Sequence, residues 1–279
     1  MTEEGSSNSD FDLVQIVFNQ NNNDDLDIQT KFNNLLIKFN EEKEKNVLLE
    51  KEINECFIQI KNKWKEIVGR NCCSNKCINT DKPIGNCIKG NGYINLIDDE
   101  NIKYINCVER KGYDKDIRIY AEKQFENPED YINYSLIYFE IKCKIEGENG
   151  YKNWMNIGLR NGNDVDIVLI AEDGVIKDEE DEEFKLENFS WNDGDIFGCG
   201  LVYPPTEKSE KFNYVFFTKN GKQIGKATIL HYDSYKPYVI LRCCSVETNF
   251  GNNLKEKPFI YDISKHFVIK EFYEDSDVD

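Results

Sequence analysis

The sequence predicts a mainly β protein, an antiparallel sandwich or barrel preceded by one long amphipathic helix. From Gly69 onward, short runs rich in β-branched and aromatic residues alternate with Gly, Asn, Asp and Pro, which is typical of strands joined by turns. Residues 31–68 instead place apolar residues mostly three or four positions apart, which is helical periodicity. Among the 279 residues are 17 Phe, 15 Tyr and 3 Trp, enough aromatic side chains to fill a sizeable core.

The N-terminal segment 1–30 carries seven acidic residues and no Lys or Arg. We predict a disordered acidic tail, interrupted by a short apolar patch at 11–18. It lacks the basic region and apolar stretch of a secretory signal, and no run in the chain approaches the length of a membrane span. We therefore expect a cytoplasmic or nuclear protein whose ten cysteines are reduced.

Residues 31–70 predict an amphipathic helix of about ten turns, with no Pro or Gly before Gly69. The apolar stripe breaks around 41–46, which argues against a long strict coiled coil. Two alternatives stay open. The helix packs on its own domain, or residues 31–68 form a homodimer, because a helix this long rarely stays unpaired in water.

The strand-like runs begin at Tyr93, and Lys219-Asn220-Gly221-Lys222 lies between two of them. Asn-Gly tolerates positive φ at both central positions of a turn, which favours a type I′ hairpin there. We predict strands at Tyr93–Ile97, Ile102–Val108, Ile117–Ala121, Ser135–Ile145, Trp154–Leu159, Ile167–Ala171, Asp195–Tyr203, Tyr214–Thr218, Gln223–Ile229, Tyr238–Leu241 and Val246–Phe250.

Four cysteines, Cys72, Cys73, Cys77 and Cys87, lie close together in the sequence. Four thiolates can bind zinc, but the paired Cys-x-x-Cys spacing is missing. Neighbours on an extended strand point to opposite faces, so Cys72 and Cys73 are not expected to reach one metal. We predict reduced thiols, with no metal and no cofactor.

The β segments resemble, in order, the motifs of the SPRY (B30.2) domain. The resemblance is clearest with the Ran-binding-protein-M-like branch, and the Asn- and Cys-rich lead-in is also similar to the expanded SPRY family of plant-parasitic nematodes. The motifs are Tyr138-Phe139-Glu140-Ile141, Asn156-Ile157-Gly158-Leu159, Trp191 to Gly200, Val215 to Lys222, Pro237-Tyr238-Val239, Asn249-Phe250-Gly251 and Pro258-Phe259.

The resemblance implies a bent sandwich of two antiparallel sheets, a concanavalin-like jelly roll, in a domain that we place at 71–268. It also implies a non-enzymatic adaptor that binds a short peptide segment of a partner protein through loops at one rim. By position relative to the family's strands, these loops are 121–133, 160–165, 203–212 and 241–246. The candidate partner-binding residues are Glu122, Lys123, Asn163, Asp164, Tyr203, Arg242, Cys243 and Cys244.

Two alternatives to the adaptor remain. One is a carbohydrate-binding or hydrolytic β-sandwich. The sequence argues against it, because the chain has only two His residues and no pair of carboxylates with recognisable catalytic spacing. The other is a secreted host-directed effector, since nematode SPRY proteins include secreted ones. We expect His231 and His266 to have surface or capping roles. The acidic run 178–183 is expected to be a mobile insertion rather than a calcium site.

The net charge of −17 is unevenly distributed. Most of it belongs to residues 1–30, to 172–187 and to a C-terminal acidic tail at 269–279, so the remaining chain is close to neutral. Broad binding to nucleic acid or to an anionic membrane is disfavoured. An anionic protein partner at the rim of the sandwich is not excluded by this distribution.

Overall fold

The computed structural model describes residues 31, 34–40, 57–80, 85–108, 112–128, 134–147, 153–204, 213–228 and 234–266. The chain divides into two compact units, 1–51 and 52–279. In the first unit the described residues, Lys31 and 34–40, are helical, as the periodicity predicts, and their side chains are exposed. Both predicted acidic tails and most of the rest of the predicted helix lie outside the described residues.

The helix prediction is wrong for residues 57–68, which belong to the β-rich unit. Phe57 forms a parallel bridge with Leu136, and Trp64–Val68 is a strand that pairs with Ile117–Ala121. Trp64 is buried against Phe139 and Phe250. Residues 57–68 therefore pack on their own domain, which is the first of the two alternatives. For the residues before Phe57, the homodimer remains a prediction.

Two antiparallel sheets form the predicted sandwich. The eight-stranded sheet has the order β1-β4-β14-β7-β8-β9-β10, with β5 also paired to β14, and the seven-stranded sheet has the order β13-β12-β11-β6-β15-β3-β2. The strands are β1 (Trp64–Val68), β2 (Tyr93–Leu96), β3 (Asn101–Ile105), β4 (Ile117–Ala121), β5 (Phe125–Glu126), β6 (Ser135–Ile145), β7 (Trp154–Asn161), β8 (Asp166–Ile170), β9 (Val175–Lys177), β10 (Glu183–Lys185), β11 (Ile196–Tyr203), β12 (Tyr214–Lys219), β13 (Lys222–Thr228), β14 (Ser234–Arg242) and β15 (Cys244–Asn249). Short 3-10 helices lie at Cys87–Lys89 and Ile263–Lys265.

The core lies between the sheets and follows the period of two. On β7, for example, Met155, Ile157 and Leu159 are fully buried in it. Among the aromatic residues of the SPRY-like motifs, Phe197 and Phe250 fill the core, and Trp191 packs against it partly buried. Phe216 does not contribute to this core, because its ring lies in a separate cluster on the outer face of the seven-stranded sheet.

The C-terminal segment 259–266 covers that outer face. Phe259 and Tyr261 pack on Tyr138, whose ring stacks on Phe216. The buried Glu140 carboxylate accepts hydrogen bonds from the backbone N–H groups of Ile260 and Tyr261, at 2.9 and 2.8 Å. The segment is therefore fixed to the sheet by both apolar contact and hydrogen bonds.

The predicted Asn-Gly hairpin is confirmed, and Gly198 allows a close contact between a side chain and a strand. Asn220 and Gly221 have φ of +48° and +76° between the paired Lys219 and Lys222, as the Asn-Gly hairpin requires. A Cβ on Gly198 would lie 1.9 Å from the Tyr138 hydroxyl oxygen, so only glycine lets that ring lie against β11.

Among the described helices, none is both long enough and apolar enough to cross a bilayer.

Candidate partner-binding surface

The strand register defines two opposite ends of the eight-stranded sheet. On β14, Tyr235 lies opposite Asn161 and Arg242 lies opposite Trp154. Seven residue steps at about 3.3 Å separate these pairs by roughly 23 Å. We call the first end the Asn161 rim, formed by 122–126, 161–165 and 178–182. The second is the Arg242 rim, formed by Asp116, Trp154 and 242–244.

The eight candidate residues are divided between these rims. Glu122, Lys123, Asn163 and Asp164 lie at the Asn161 rim, and Tyr203 ends β11 near it. Arg242, Cys243 and Cys244 lie at the Arg242 rim. The structure therefore does not bring all eight into one surface, because β14 runs the length of the sheet between the two groups.

Three of the candidates are core residues rather than contact residues. Tyr203 is 1% exposed, and its hydroxyl donates to the carbonyl of Phe125 at 3.2 Å, which ties the two sheets together. Cys243 and Cys244 are 2% and 0% exposed, and burial raises the pKa of the Cys243 thiol to about 12. Such side chains cannot contact a partner or react as thiolates without local opening.

A buried asparagine organises the Asn161 rim. The Asn161 Oδ1 accepts from the backbone N–H groups of Asn163 and Val165 at 2.9 and 3.1 Å, which fixes the β7–β8 turn. Its Nδ2 donates to the Glu179 carboxylate at 2.8 Å, and the Tyr235 hydroxyl reaches the same oxygen at 3.4 Å. The Asn161 side chain thus joins the 161–165 and 178–182 segments of the rim, and Tyr235 on β14 reaches the same Glu179. The sequence pattern did not reveal this role.

The acidic run does not form the predicted mobile insertion. Residues 178–182 make a tight turn between β9 and β10, in which the Asp178 carboxylate accepts from the N–H groups of Glu180 and Glu182 at 2.9 and 3.0 Å. Backbone bonds between Asp178 and Glu182, and between Asp181 and Asp178, close it. The turn brings Glu179 to Asn161, so the acidic residues belong to the rim.

The β4–β5 loop at this rim is held by residues near β1. Asn62, which is 5% exposed, accepts from the Lys123 N–H at 2.9 Å and donates to the Lys123 carbonyl at 3.0 Å. The Glu122 carboxylate pairs with Lys65 at 2.6 Å, and this contact lowers the pKa of Glu122. The backbone of the loop is therefore fixed while the Lys123 side chain is exposed.

Below the Asn161 rim, the outer face of the sheet carries stacked aromatic and charged groups. Asp166 accepts from Arg160 at 2.7 Å and pairs with Arg118 at 2.9 Å. The Arg118 guanidinium lies 4.8 Å from the Tyr238 ring centre. These contacts hold Arg160 where it also reaches the exposed Asp164 at 3.4 Å.

The Arg242 rim has a different character. Arg242 pairs with Asp116 at 3.1 Å, and its guanidinium lies 5.6 Å from the Trp154 ring centre. Its side chain is only 24% exposed. Arg242 is thus held between an acid and an aromatic ring of its own domain.

A groove of about 420 Å³ lies on the outer face of the seven-stranded sheet. Its charged lining consists of three lysines and three carboxylates, and Lys103 pairs with Glu146 at 2.6 Å. None of the described lining residues is aromatic, so this groove offers no ring on which a sugar could stack.

The four cysteines of the lead-in are brought together, contrary to the spacing argument. The sulfur atoms of Cys72, Cys73, Cys77 and Cys87 all lie within 4.8 Å of one another. The strand geometry assumed for Cys72 and Cys73 is wrong, because these residues lie in a bend followed by a turn.

Comparisons with known proteins give structural similarity only. No family model matches the chain, and no curated protein matches it. A human SPRY domain is 20% identical with a TM-score of 0.42, covering 58% of this chain and 97% of its own. The SPRY domain of human HERC1 is 14% identical with a TM-score of 0.35, covering 55% and 90%. The carbohydrate-binding module CBM66 from Bacillus subtilis is 9% identical with a TM-score of 0.34, covering 57% and 89%.

Proposed function

We propose that this chain is a SPRY-type, non-enzymatic protein-interaction module whose Asn161 rim binds a short basic peptide segment of a partner protein. The observation that carries the proposal is the Asn161–Glu179–Tyr235 network, which fixes the rim loops from beneath. The order of the SPRY motifs in the sequence supports the family assignment. Its Ran-binding-protein-M-like branch and the similarity to nematode proteins remain predictions from sequence.

The charge of the rim supports a basic partner. Segments 122–126, 161–165 and 178–182 hold eight carboxylates and one lysine, a net charge of −7. Asp164 is 88% exposed in its side chain, and Glu180 and Glu182 are exposed as well. Concentrated charge of one sign attracts a ligand of the opposite sign and speeds its association. The negative charge of the Asn161 rim also argues against an anionic partner there, which the charge distribution of the sequence does not exclude.

Preorganisation supports binding by loops rather than by a deep pocket. The rim backbone is hydrogen-bonded to buried Asn161 and Asn62, so little conformational entropy is lost when a ligand binds. The exposed carboxylates lie along three neighbouring segments, which suits an extended peptide bearing several Lys or Arg residues.

We expect the triple substitution Asp164→Asn, Glu180→Gln and Glu182→Gln to weaken binding of a basic peptide about tenfold. Each exposed charge contributes roughly 0.2–1 kcal/mol, and about 1.4 kcal/mol corresponds to a factor of ten. Asparagine suits position 164 because φ there is +66°. The peptide is selected by panning random short peptides on the immobilised full chain, and its affinity is then measured by calorimetric titration at two salt concentrations.

The matched control neutralises three carboxylates at the other end, with Asp116→Asn, Asp173→Asn and Glu187→Gln. These residues are exposed, and we expect their loss to leave the affinity within about a factor of two. Arg242→Ala, which the sequence predicts to lower affinity, is expected to have no such effect if the partner binds at the Asn161 rim. A selected peptide that binds both triple variants equally would reject the proposed surface.

A further inference from the structure

The four lead-in cysteines have the geometry of a tetrahedral metal site. The Cys72 sulfur lies 3.8 Å from that of Cys73 and 3.9 Å from that of Cys77, and the Cys73 and Cys77 sulfurs are 3.6 Å apart. Four thiolates at about 2.3 Å from a zinc ion lie about 3.8 Å from one another. The fourth sulfur, that of Cys87, lies within 4.8 Å of the others.

Local backbone geometry explains how such unusual spacing converges. The Lys76 N–H donates to the Cys73 carbonyl at 3.0 Å, and Lys76 has φ of +48°, so the chain reverses between Cys73 and Cys77. Cys87 enters from the first position of the 3-10 helix Cys87–Lys89. Adjacent Cys72 and Cys73 reach the same point because neither is on a strand.

The surroundings suit thiolate ligands. The Ile78 N–H lies 3.4 Å from the Cys72 sulfur, and the Asn91 side-chain amide lies 3.2 Å from the Cys87 sulfur. Lys115 donates to the carbonyls of Cys72 and Asn91 at 3.3 and 3.2 Å, which places a positive charge beside the cluster. N–H donors and a nearby cation stabilise negative sulfur, as the outer contacts of metal sites do.

We propose that Cys72, Cys73, Cys77 and Cys87 bind one structural Zn²⁺ ion. Four sulfur ligands leave no open coordination position, as in a structural zinc site. Cys72 and Cys77 are each 4% exposed, and Cys73 and Cys87 are partly buried. An iron–sulfur cluster would hold its cysteine sulfurs around a larger inorganic core, whereas these sulfurs surround the space of a single ion. On binding, four Zn–S bonds form, the thiol protons go to solvent, and no electrons are transferred.

The metal would organise a long segment that has little structure of its own. Between β1 and β2 lie 24 residues, and the one regular element in the described part is the three-residue helix Cys87–Lys89. Loops of this length without secondary structure are uncommon in compact domains. A metal that joins Cys72–Cys77 to Cys87 closes this loop and holds it beside β2, where Tyr93 donates to the Arg70 carbonyl at 2.7 Å.

We expect the full-length chain, purified under reducing conditions, to contain one zinc ion per chain by elemental mass spectrometry. Cys73→Ser and Cys87→Ser should each lose most of this zinc. Cys107→Ser, which changes a thiol outside the cluster, should retain it. Zinc content unchanged in the two cluster variants, iron in place of zinc, or disulfides among the four cysteines by intact mass would overturn the proposal.

A second measurement does not depend on whether the cluster variants fold. Chelation of the unsubstituted chain should lower its melting temperature by several degrees, and added Zn²⁺ should restore it. Replacement by Co²⁺ should give the visible absorption bands of tetrahedral thiolate coordination. A melting temperature that chelation leaves unchanged, or an octahedral cobalt spectrum, would contradict a structural site of four cysteines.

Discussion

Replacing Trp64 with alanine is expected to destabilise the sandwich by about 3–5 kcal/mol, a large part of the stability of an ordinary domain. The Trp64 ring is 3% exposed and meets Phe139 and Phe250 at centroid distances of 6.5 and 5.0 Å. Its indole N–H donates to the Thr248 hydroxyl at 2.7 Å, so the substitution leaves both a cavity and an unpaired buried hydroxyl. Urea denaturation followed by fluorescence and circular dichroism measures the loss.

The same substitution distinguishes the strand from the helix that the sequence predicts. Trp154→Ala is the matched control, because Trp154 is partly buried on the outer face beside Arg242, and we expect it to cost about 1 kcal/mol. If Trp64 belonged to a dimerisation helix, Trp64→Ala would change the mass of the particle in solution and leave the stability of the β-sandwich unaltered. A loss below about 1 kcal/mol would contradict its place in the core.

Acidification from pH 6.5 to 4 is expected to remove roughly 3 kcal/mol of stability through His266 alone. The ring is 1% exposed, stacks on Phe216 at 4.0 Å and lies 2.8 Å from the hydroxyls of both Tyr214 and Tyr261. Burial lowers its pKa from 6.5 to about 4. The unfolded chain therefore binds the proton first, so this stability is present above pH 6.5 and is lost as the pH falls towards 4, at about 1.4 kcal/mol per pH unit.

A comparison of variants isolates this contribution. Glu140 has the opposite effect, because burial raises its pKa, so its contribution to stability is present at low pH and is lost as the pH rises through the folded pKa. Measured by urea denaturation at pH 7 and pH 4.5, His266→Gln should lose less stability on acidification than the unsubstituted chain. Glu140→Gln should lose more than the unsubstituted chain. Equal losses in His266→Gln and the unsubstituted chain would show that His266 is not buried in its neutral form.

The surface role expected for His266 is wrong, because its ring is buried. Its backbone does cap the final 3-10 helix, which agrees with the expected capping role.

Much of the sandwich can be predicted from local pattern. Ile117–Ala121 and Ser135–Ile145 have the predicted bounds, because each is rich in β-branched and aromatic residues and is followed by a glutamate. The strand Trp64–Val68 is not predicted, because the three-residue gap between Trp64 and Ile67 is helical spacing and β1 has a register shift between Trp64 and Glu66. Its partner β4 also lies about fifty residues away. The short strands β9 and β10 were missed because an acidic run separates them and hides their pairing.

The candidate site was less predictable, because it depends on long-range register. The family resemblance places the loops 121–133, 160–165, 203–212 and 241–246 at one rim, but Arg242 lies at the opposite end of β14 from the partner of Asn161. Nothing in the sequence connects Asn161 with Glu179, since their contact exists only after β8 and β9 pair. Strand geometry argues against convergence of the four cysteines, whereas a turn between Cys73 and Cys77 brings their sulfur atoms together.

Site-specific photo-crosslinking of the full chain to the selected basic peptide tests directly where the peptide binds. A photo-reactive residue replaces either Asn163 at the Asn161 rim or Asp116 at the Arg242 rim, both of which are exposed. If the peptide binds at the Asn161 rim, it crosslinks to position 163, and crosslinking falls when the three rim carboxylates are neutralised. Crosslinking at position 116 and not at 163, or panning that enriches no Lys- or Arg-rich peptide, would contradict binding at this rim.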